Sequence, residues 1–384
     1  MPRWLKEKFV LLSTPWMPPT RRAVGMAMMV FCACILGLGV PDAGALERPG
    51  VTPGSESIAR TQHRAKDHQT AERHGAERIL RVGSGMPFRL PSQAAKAARD
   101  GDIVEIASGN YRDCAIWRAN KLTIRGVGGR AHVKDKTCAG KAIWITVGDD
   151  ITIENIEFSG MRVRDRNGAG IRHEGRGLTI RNAYFHDGDA GILGGGQRPG
   201  DNILIEHSEF ARLGKGGRAH AIYIGRAASF TLRNSFVHDC IGEGNCVKSR
   251  ALETEITCNR IASLDGNSSW EIDLPEGGFA MVRRNVIEQG RRSVNSNIIG
   301  FAMETRAKRA HPNQVLVLTD NILINDLGRG TFVRVKRRPD TSVLIKRNVF
   351  VGRGSRPDER ENTFYKSRRR AGLPPYPELP KPCQ

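Results

Sequence analysis

The chain has 384 residues, 39% of them hydrophobic and 26% charged, with a formal net charge of +20. That length suffices for one large domain or two ordinary ones, and the positive surplus raises the local concentration of polyanions such as nucleic acid, acidic polysaccharide or an anionic membrane. The 8 cysteines include no CxxC pair and no zinc-ligand spacing.

Arg21-Arg22 precede an apolar run from Met26 to Val40, and Ala43-Gly44-Ala45 follows. Basic residues, apolar run and small residues in that order read as a secretory signal, cut after Ala45, with a retained anchor as the alternative. The apolar run is 15 residues long, short of the roughly 20 that a membrane span needs. Residues 1–45 are therefore expected to leave a periplasmic or secreted protein without a stable membrane span. The leader contributes +3, so +17 remains on the rest. Six cysteines lie beyond it, an even number that fits disulfides in an exported protein. Cys114–Cys138 and Cys240–Cys246 are the local candidates, and the sequence leaves the connectivity open. Residues 46–78 read as a solvated linker, and its His63, His68 and His74 receive no metal assignment.

Pro91-Ser92-Gln93 opens a short helix through Arg99 that Asp100-Gly101 stops. Asp102–Ile106 follows as a strand, then Gly109-Asn110-Tyr111 and Leu122–Gly126. From residue 151 one phrase recurs, an apolar–polar alternation that mostly ends in Asn. Its last residues are Asn155, Asn182, His207, Asn234, Asn259, Asn285, Asn321 and Asn348. They are spaced by 27, 25, 27, 25, 26, 36 and 27 residues. A fixed period in this range means stacked repeats, whose open hydrophobic end requires a cap. The Asn column fits tight turns, because Asn tolerates the left-handed conformation and bonds its own neighbourhood. Stacked turns predict an amide ladder. Phe158, Phe185, Phe210, Ile261, Ile287 and Phe350 are expected to stack in the core. After Gly354 the composition turns basic and proline-rich, so 355–384 reads as an extended tail.

The helix, Gly-Asp-Ile-Val-Glu-Ile, Gly-Asn-Tyr and Leu-Thr-Ile-Arg-Gly together resemble the first coil of pectate-lyase-like right-handed parallel β-helices. With the later repeats the resemblance covers roughly residues 90 to 352. It implies an all-β fold, a single right-handed parallel β-helix over 79–354 with an N-terminal capping helix.

Each coil carries a second strand ahead of the Asn strand. These align on inward residues Ile171, Ile192, Ile222, Val247, Ile272 and Val333. Alternation then turns the following residues outward: Arg172, Leu193, Tyr223, Lys248, Asp273 and Arg334. Tyr223, Lys248 and Asp273 are expected to form one vertical row, with Arg250 and Glu271 beside it. His220, by the same alternation, points inward. Proton abstraction next to a uronate carboxylate needs a cation for the developing enolate charge, a base and an acid. Arg250 is the expected carboxylate binder, Lys248 the base and Tyr223 the acid or its helper. Arg172, Glu271, Asp273 and His220 are expected at the substrate.

Asn245-Cys-Val-Lys-Ser-Arg250, continued by Ile256-Thr-Cys-Asn-Arg260, resembles the chondroitinase-B/alginate-lyase group, in which the Lys of a Val-Lys-Ser phrase is the base. Lys248 matches it, whereas the acid Arg of that group aligns near Asp273. His220-Ala-Ile-Tyr-Ile-Gly225, Val-Lys-Ser-Arg-Ala251 and Glu276-Gly-Gly278 are similar to exported bacterial β-helix-repeat proteins with no assigned reaction. These resemblances imply a lyase or epimerase of an acidic polysaccharide, or a non-catalytic glycan- or envelope-binding protein. Paired carboxylates admit hydrolysis, which ranks lower without the Asp-rich set of polygalacturonase-like enzymes. Nucleic acid is set aside, since no binding module accompanies the charge and export conflicts with it. His186-Asp187, Asp189, His238-Asp239 and Asp265 could offer calcium oxygen ligands, but turn chemistry is the preferred reading. No residue is assigned as a metal ligand.

Overall fold

A computed structural model describes residues 78–304, 310–357 and 360–383. The signal, almost all of the linker and their histidines lie outside these residues. The described chain winds into a right-handed parallel β-solenoid of about ten turns. Alternating Ile, Val, Leu and Thr build it, because branched side chains suit a pleated strand with one buried face. Strand Ile151–Glu154 shows the pattern, its two Ile buried and its polar residues half-buried.

Each typical coil contributes three strands. One wall is a nine-stranded parallel sheet running from Ala115–Trp117 to Thr331–Val335. The other two walls join as a 20-stranded sheet. Within it, strands such as Leu178–Arg181 and Tyr184–Gly188 are separated by a single corner. A left-handed residue makes that corner: Asn155 (φ 56°), Asn182 (48°), His207 (51°) and Asn234 (50°).

The later coils depart from the expected single Asn column. There the left-handed residue is Cys258, Arg284, Asp320 or Arg347, and the Asn stands one position further on. Asn259, Asn285, Asn321 and Asn348 are buried and form the ladder. Each backbone N–H donates to the Oδ1 of the next, at 2.9 Å from Asn259 to Asn285, 2.9 Å to Asn321 and 3.0 Å to Asn348. Ser235 joins the lower end and Asn362 the upper. Two columns, one of turn conformation and one of amide bonding, are thus superposed in the sequence pattern.

The core is a stack in register. Phe185 lies over Phe158 with centroids 4.9 Å apart, and Phe210 over Phe185 at 4.7 Å, both nearly parallel. Ile261, Ile287 and Phe350 continue the column, fully buried as expected. Helix Pro91–Ala97 buries Pro91, Ala94 and Ala95 and contacts the first strands.

The tail returns to the solenoid. Thr363–Tyr365 adds a strand in register with Val349–Val351, Phe364 stacks on Phe350 at 5.0 Å, and Cys383 bonds Cys258. Its apolar and ladder residues continue the columns of the last coil, which composition alone does not reveal. Cys114–Cys138 and Cys240–Cys246 pair as expected. Among the described residues, no helix is long and apolar enough to cross a membrane.

Candidate functional site

The outward row exists as aligned. Arg172 pairs in register with Leu193, Leu193 with Tyr223, Tyr223 with Lys248, and Lys248 with Asp273. The next neighbour of Asp273 is Gly300, and only then comes Arg334. That intervening coil belongs to the one long step of 36 residues. It breaks the repeat period, and it supplies two site residues.

The first is Glu304. Its Oε1 lies 3.1 Å from Lys248 Nζ and its Oε2 2.5 Å from Arg250 Nη2. The second is His311, whose Nε2 donates to the Arg250 carbonyl oxygen at 2.9 Å. A third group unassigned from the sequence, Glu276, is buried and accepts from Arg250 Nη1 at 2.9 Å. Arg226 reaches the same carboxylate. The anomalous coil length was the available signal for the first two, since an extra loop on one wall of a solenoid must project beside that wall.

Arg250 completes its fan by donating Nε–H to Tyr223 Oη at 3.0 Å. Tyr223, Arg226, Arg250 and Glu276 border an open groove of about 640 Å³, with Gly196 and Gln197 also in its lining. Gly225 keeps its floor low: a Cβ there would lie 2.3 Å from the Gly195 carbonyl oxygen. The coils meet backbone to backbone at that point.

Lys248 Nζ sits 3.0 Å from Asp273 Oδ2 and its side chain is 12% exposed. Burial lowers its pKa, yet Asp273 and Glu304 outweigh burial and hold the ammonium above its ordinary range. Burial pushes the Asp273 carboxyl up, with Lys248 pulling against it, and Asn245 Nδ2 donates to the same oxygen at 2.9 Å. Burial raises Glu304 too, but Arg250 and Lys248 bring it below its ordinary value.

His220 is buried and lies edge-on to Tyr223 with centroids 5.5 Å apart. Its Nδ1 accepts the Asn245 N–H at 2.9 Å. Burial, then Lys248 and Arg250, lower its pKa to about 3. A neutral ring accepting at Nδ1 carries its hydrogen on Nε2.

Two expected positions fall elsewhere. Glu271 does not face the groove. It is fully buried and accepts from the hydroxyls of Ser263 and Ser268, and burial lifts its pKa to about 8. Ala221, Cys246, Ile298 and Phe332, at the same coil position, are also 0% exposed. The chain bends just before this wall, so two consecutive residues face inward and simple alternation fails. Arg172 keeps its column but stands two coils from Tyr223, paired with Glu174 at 3.0 Å.

The carboxylates considered for calcium do not gather. Asp187 pairs with His186 and Arg212, Asp239 with His238, and buried Asp189 accepts the Val163 and Gly168 N–H groups. Asp187 and Asp239 have φ of 54° and 49°, as turn residues do.

The chain has the pectate-lyase-like parallel β-helix fold. Among solved structures it is similar to an alginate lyase from Paenibacillus sp. str. FPU-7, at 15% identity over 76% of this chain and 98% of that one, with a TM-score of 0.50. It is also similar to the pectate lyase Pel9A, at 13% identity over 75% and 80%, with a TM-score of 0.52. These likenesses establish the fold alone. No described protein family and no curated protein matches the sequence.

Proposed function

We propose that this protein acts on an acidic polysaccharide, as a lyase or epimerase working next to a uronate carboxylate, with the reacting sugar seated at Tyr223, Lys248 and Arg250. The observation that carries this reading is the Glu304 carboxylate, which bridges the Lys248 ammonium and the Arg250 guanidinium beside the Tyr223 hydroxyl. That side chain is 49% exposed and comes from a loop. A carboxylate on the substrate offers the same two oxygens to the same two cations.

The roles of Lys248 and Tyr223 differ from the sequence-based expectation. A raised pKa suits Lys248 to neutralising an enolate-like charge rather than to accepting a proton. Tyr223 is the proton-transfer group, its oxygen held at the groove by the Arg250 Nε–H that it accepts. The neutral His220 ring buttresses Tyr223. The fold relatives are lyases of alginate and pectate by name, which supports a carbohydrate substrate. Three disulfides and the leader support an oxidising compartment, periplasmic or extracellular.

The test is ultraviolet absorbance of the protein mixed with a panel of polyuronates and glycosaminoglycans, with Tyr223→Phe as control. Rising absorbance from a double bond conjugated to the carboxylate, lost in Tyr223→Phe while binding persists, is the expected result for a lyase. Epimerisation is followed by the sugar's nuclear magnetic resonance signals. Turnover retained in Tyr223→Phe overturns the assignment. A second reading, glycan binding without turnover, is favoured by the Lys248–Asp273 pair. It predicts saturable, salt-sensitive binding on the same panel and no product.

A further inference from the structure

Away from the groove, on the 20-stranded sheet, three coils in succession bring His132, Glu157 and His186 together. We propose that these side chains bind a divalent transition-metal ion of the zinc class.

One ligand atom from each lies within 4.8 Å of the other two. Glu157 Oε1 is 3.4 Å from His132 Nδ1 and 3.0 Å from His186 Nε2. Metal bonds of about 2.0–2.2 Å in a tetrahedron set ligand atoms roughly 3.3–3.6 Å apart, close to the two separations between Glu157 and the imidazoles. The far nitrogens are already engaged. His186 Nδ1 lies 2.6 Å from Asp187 Oδ2, and Arg212 fixes that carboxylate from behind at 2.7 Å. His132 Nε2 lies 2.7 Å from Ser159 Oγ. A carboxylate or hydroxyl that takes the rear N–H holds the front nitrogen as a lone pair, the arrangement that orients histidine ligands. Asn110 Oδ1 lies 3.1 Å from His132 Nδ1, on the same side of the ring as Glu157. Two imidazoles and one carboxylate select a borderline ion, whereas calcium and magnesium prefer an all-oxygen shell.

The solenoid contains its own control. Two coils further on, Glu209, His238 and Asp239 repeat Glu157, His186 and Asp187. His238 Nε2 is 3.1 Å from Glu209 Oε1, and Nδ1 is 2.6 Å from Asp239 Oδ2. His132 is in register with Glu157, but the residue in register below Glu209 is Tyr184. The His–Glu–Asp unit is therefore a repeat of the fold, and His132 is what turns one copy into a three-donor site. Its ligands come from three coils, so a bound ion ties them together and stabilises the solenoid by mass action.

The experiment is calorimetric titration of the tag-free, chelator-treated full chain with Zn2+, alongside Ca2+, and visible absorption with Co2+. One saturable Zn2+ site, cobalt d–d bands and no calcium response are expected. His132→Tyr copies the arrangement already present at Tyr184, so it should fold, and it should lose zinc affinity at least 100-fold. Glu157→Gln is the second loss variant. Asp187→Asn should weaken binding about 10- to 100-fold, and His238→Ala should leave it unchanged. No saturable zinc binding by the unmodified chain overturns the site. Equal binding by His132→Tyr also overturns it, by placing the ion elsewhere, for example on the histidines of residues 46–78.

Discussion

Lys248 and Asp273 occupy facing positions of adjacent coils, and their charged atoms meet at 3.0 Å beneath the surface. Removing one partner of a buried pair leaves an uncompensated charge, which costs more than the pair contributes. Lys248→Ala is therefore expected to destabilise the protein by about 3 kcal/mol, read by urea unfolding. The double variant Lys248→Met/Asp273→Asn should recover most of that loss. A single variant as stable as the parent would show that the ammonium is not what holds Asp273.

Glu304 gives the clearest kinetic prediction. In the proposed reading its carboxylate holds the place of a substrate carboxylate on Lys248 and Arg250. Exposed ion pairs are worth up to roughly 1 kcal/mol each. Glu304→Gln should thus tighten acidic polysaccharide by up to about tenfold. The effect appears in KM or in a binding titration, with kcat little changed. Weaker binding would instead make Glu304 part of the recognition surface.

The pH dependence of stability is expected to carry the mark of Glu271. Its pKa is raised from 4.5 to about 8 by burial. The unfolded chain ionises this carboxyl above about 4.5 while the folded chain keeps its proton until about 8. Its contribution is complete below the unfolded value and is lost as pH rises through the folded one. The slope in that window is about 1.4 kcal/mol per pH unit. Glu271→Gln should flatten the fall between those two pH values, measured as urea midpoint against pH. An unchanged profile would reassign the slope to other buried carboxyls such as Glu288, which burial also raises.

The two corner columns should respond differently to mutation. Asn285 is buried, accepts the Asn259 N–H at 2.9 Å and donates to the Ile256 carbonyl at 2.8 Å. Asn285→Ala orphans several buried groups and should cost about 3 kcal/mol. Asn182 is exposed at φ 48°, so Asn182→Ala should cost only about 1 kcal/mol of left-handed strain. Comparison of unfolding midpoints decides. Equal losses would mean that the buried amide bonds of Asn285 contribute no more than the left-handed strain at Asn182.

The sequence by itself determined the coil. Period, strand alternation and corner residues such as Asn155 and Asn182 are local features, and parallel stacking in register repeats each of them from one coil to the next. Tyr223, Lys248 and Asp273 were legible as one column for the same reason. Only the tertiary structure decided what lies beside that column. Arg250 meets Glu276 and Glu304 across 26 and 54 residues of chain, and Glu304 comes from the coil whose extra length breaks the period. The bend that turns Glu271 inward, and the one-residue shift that carries Asn259 into the ladder, also lie outside a strict alternation. His132, Glu157 and His186 share no phrase in the sequence, because a column is written one residue per coil and its members meet only when the coils stack.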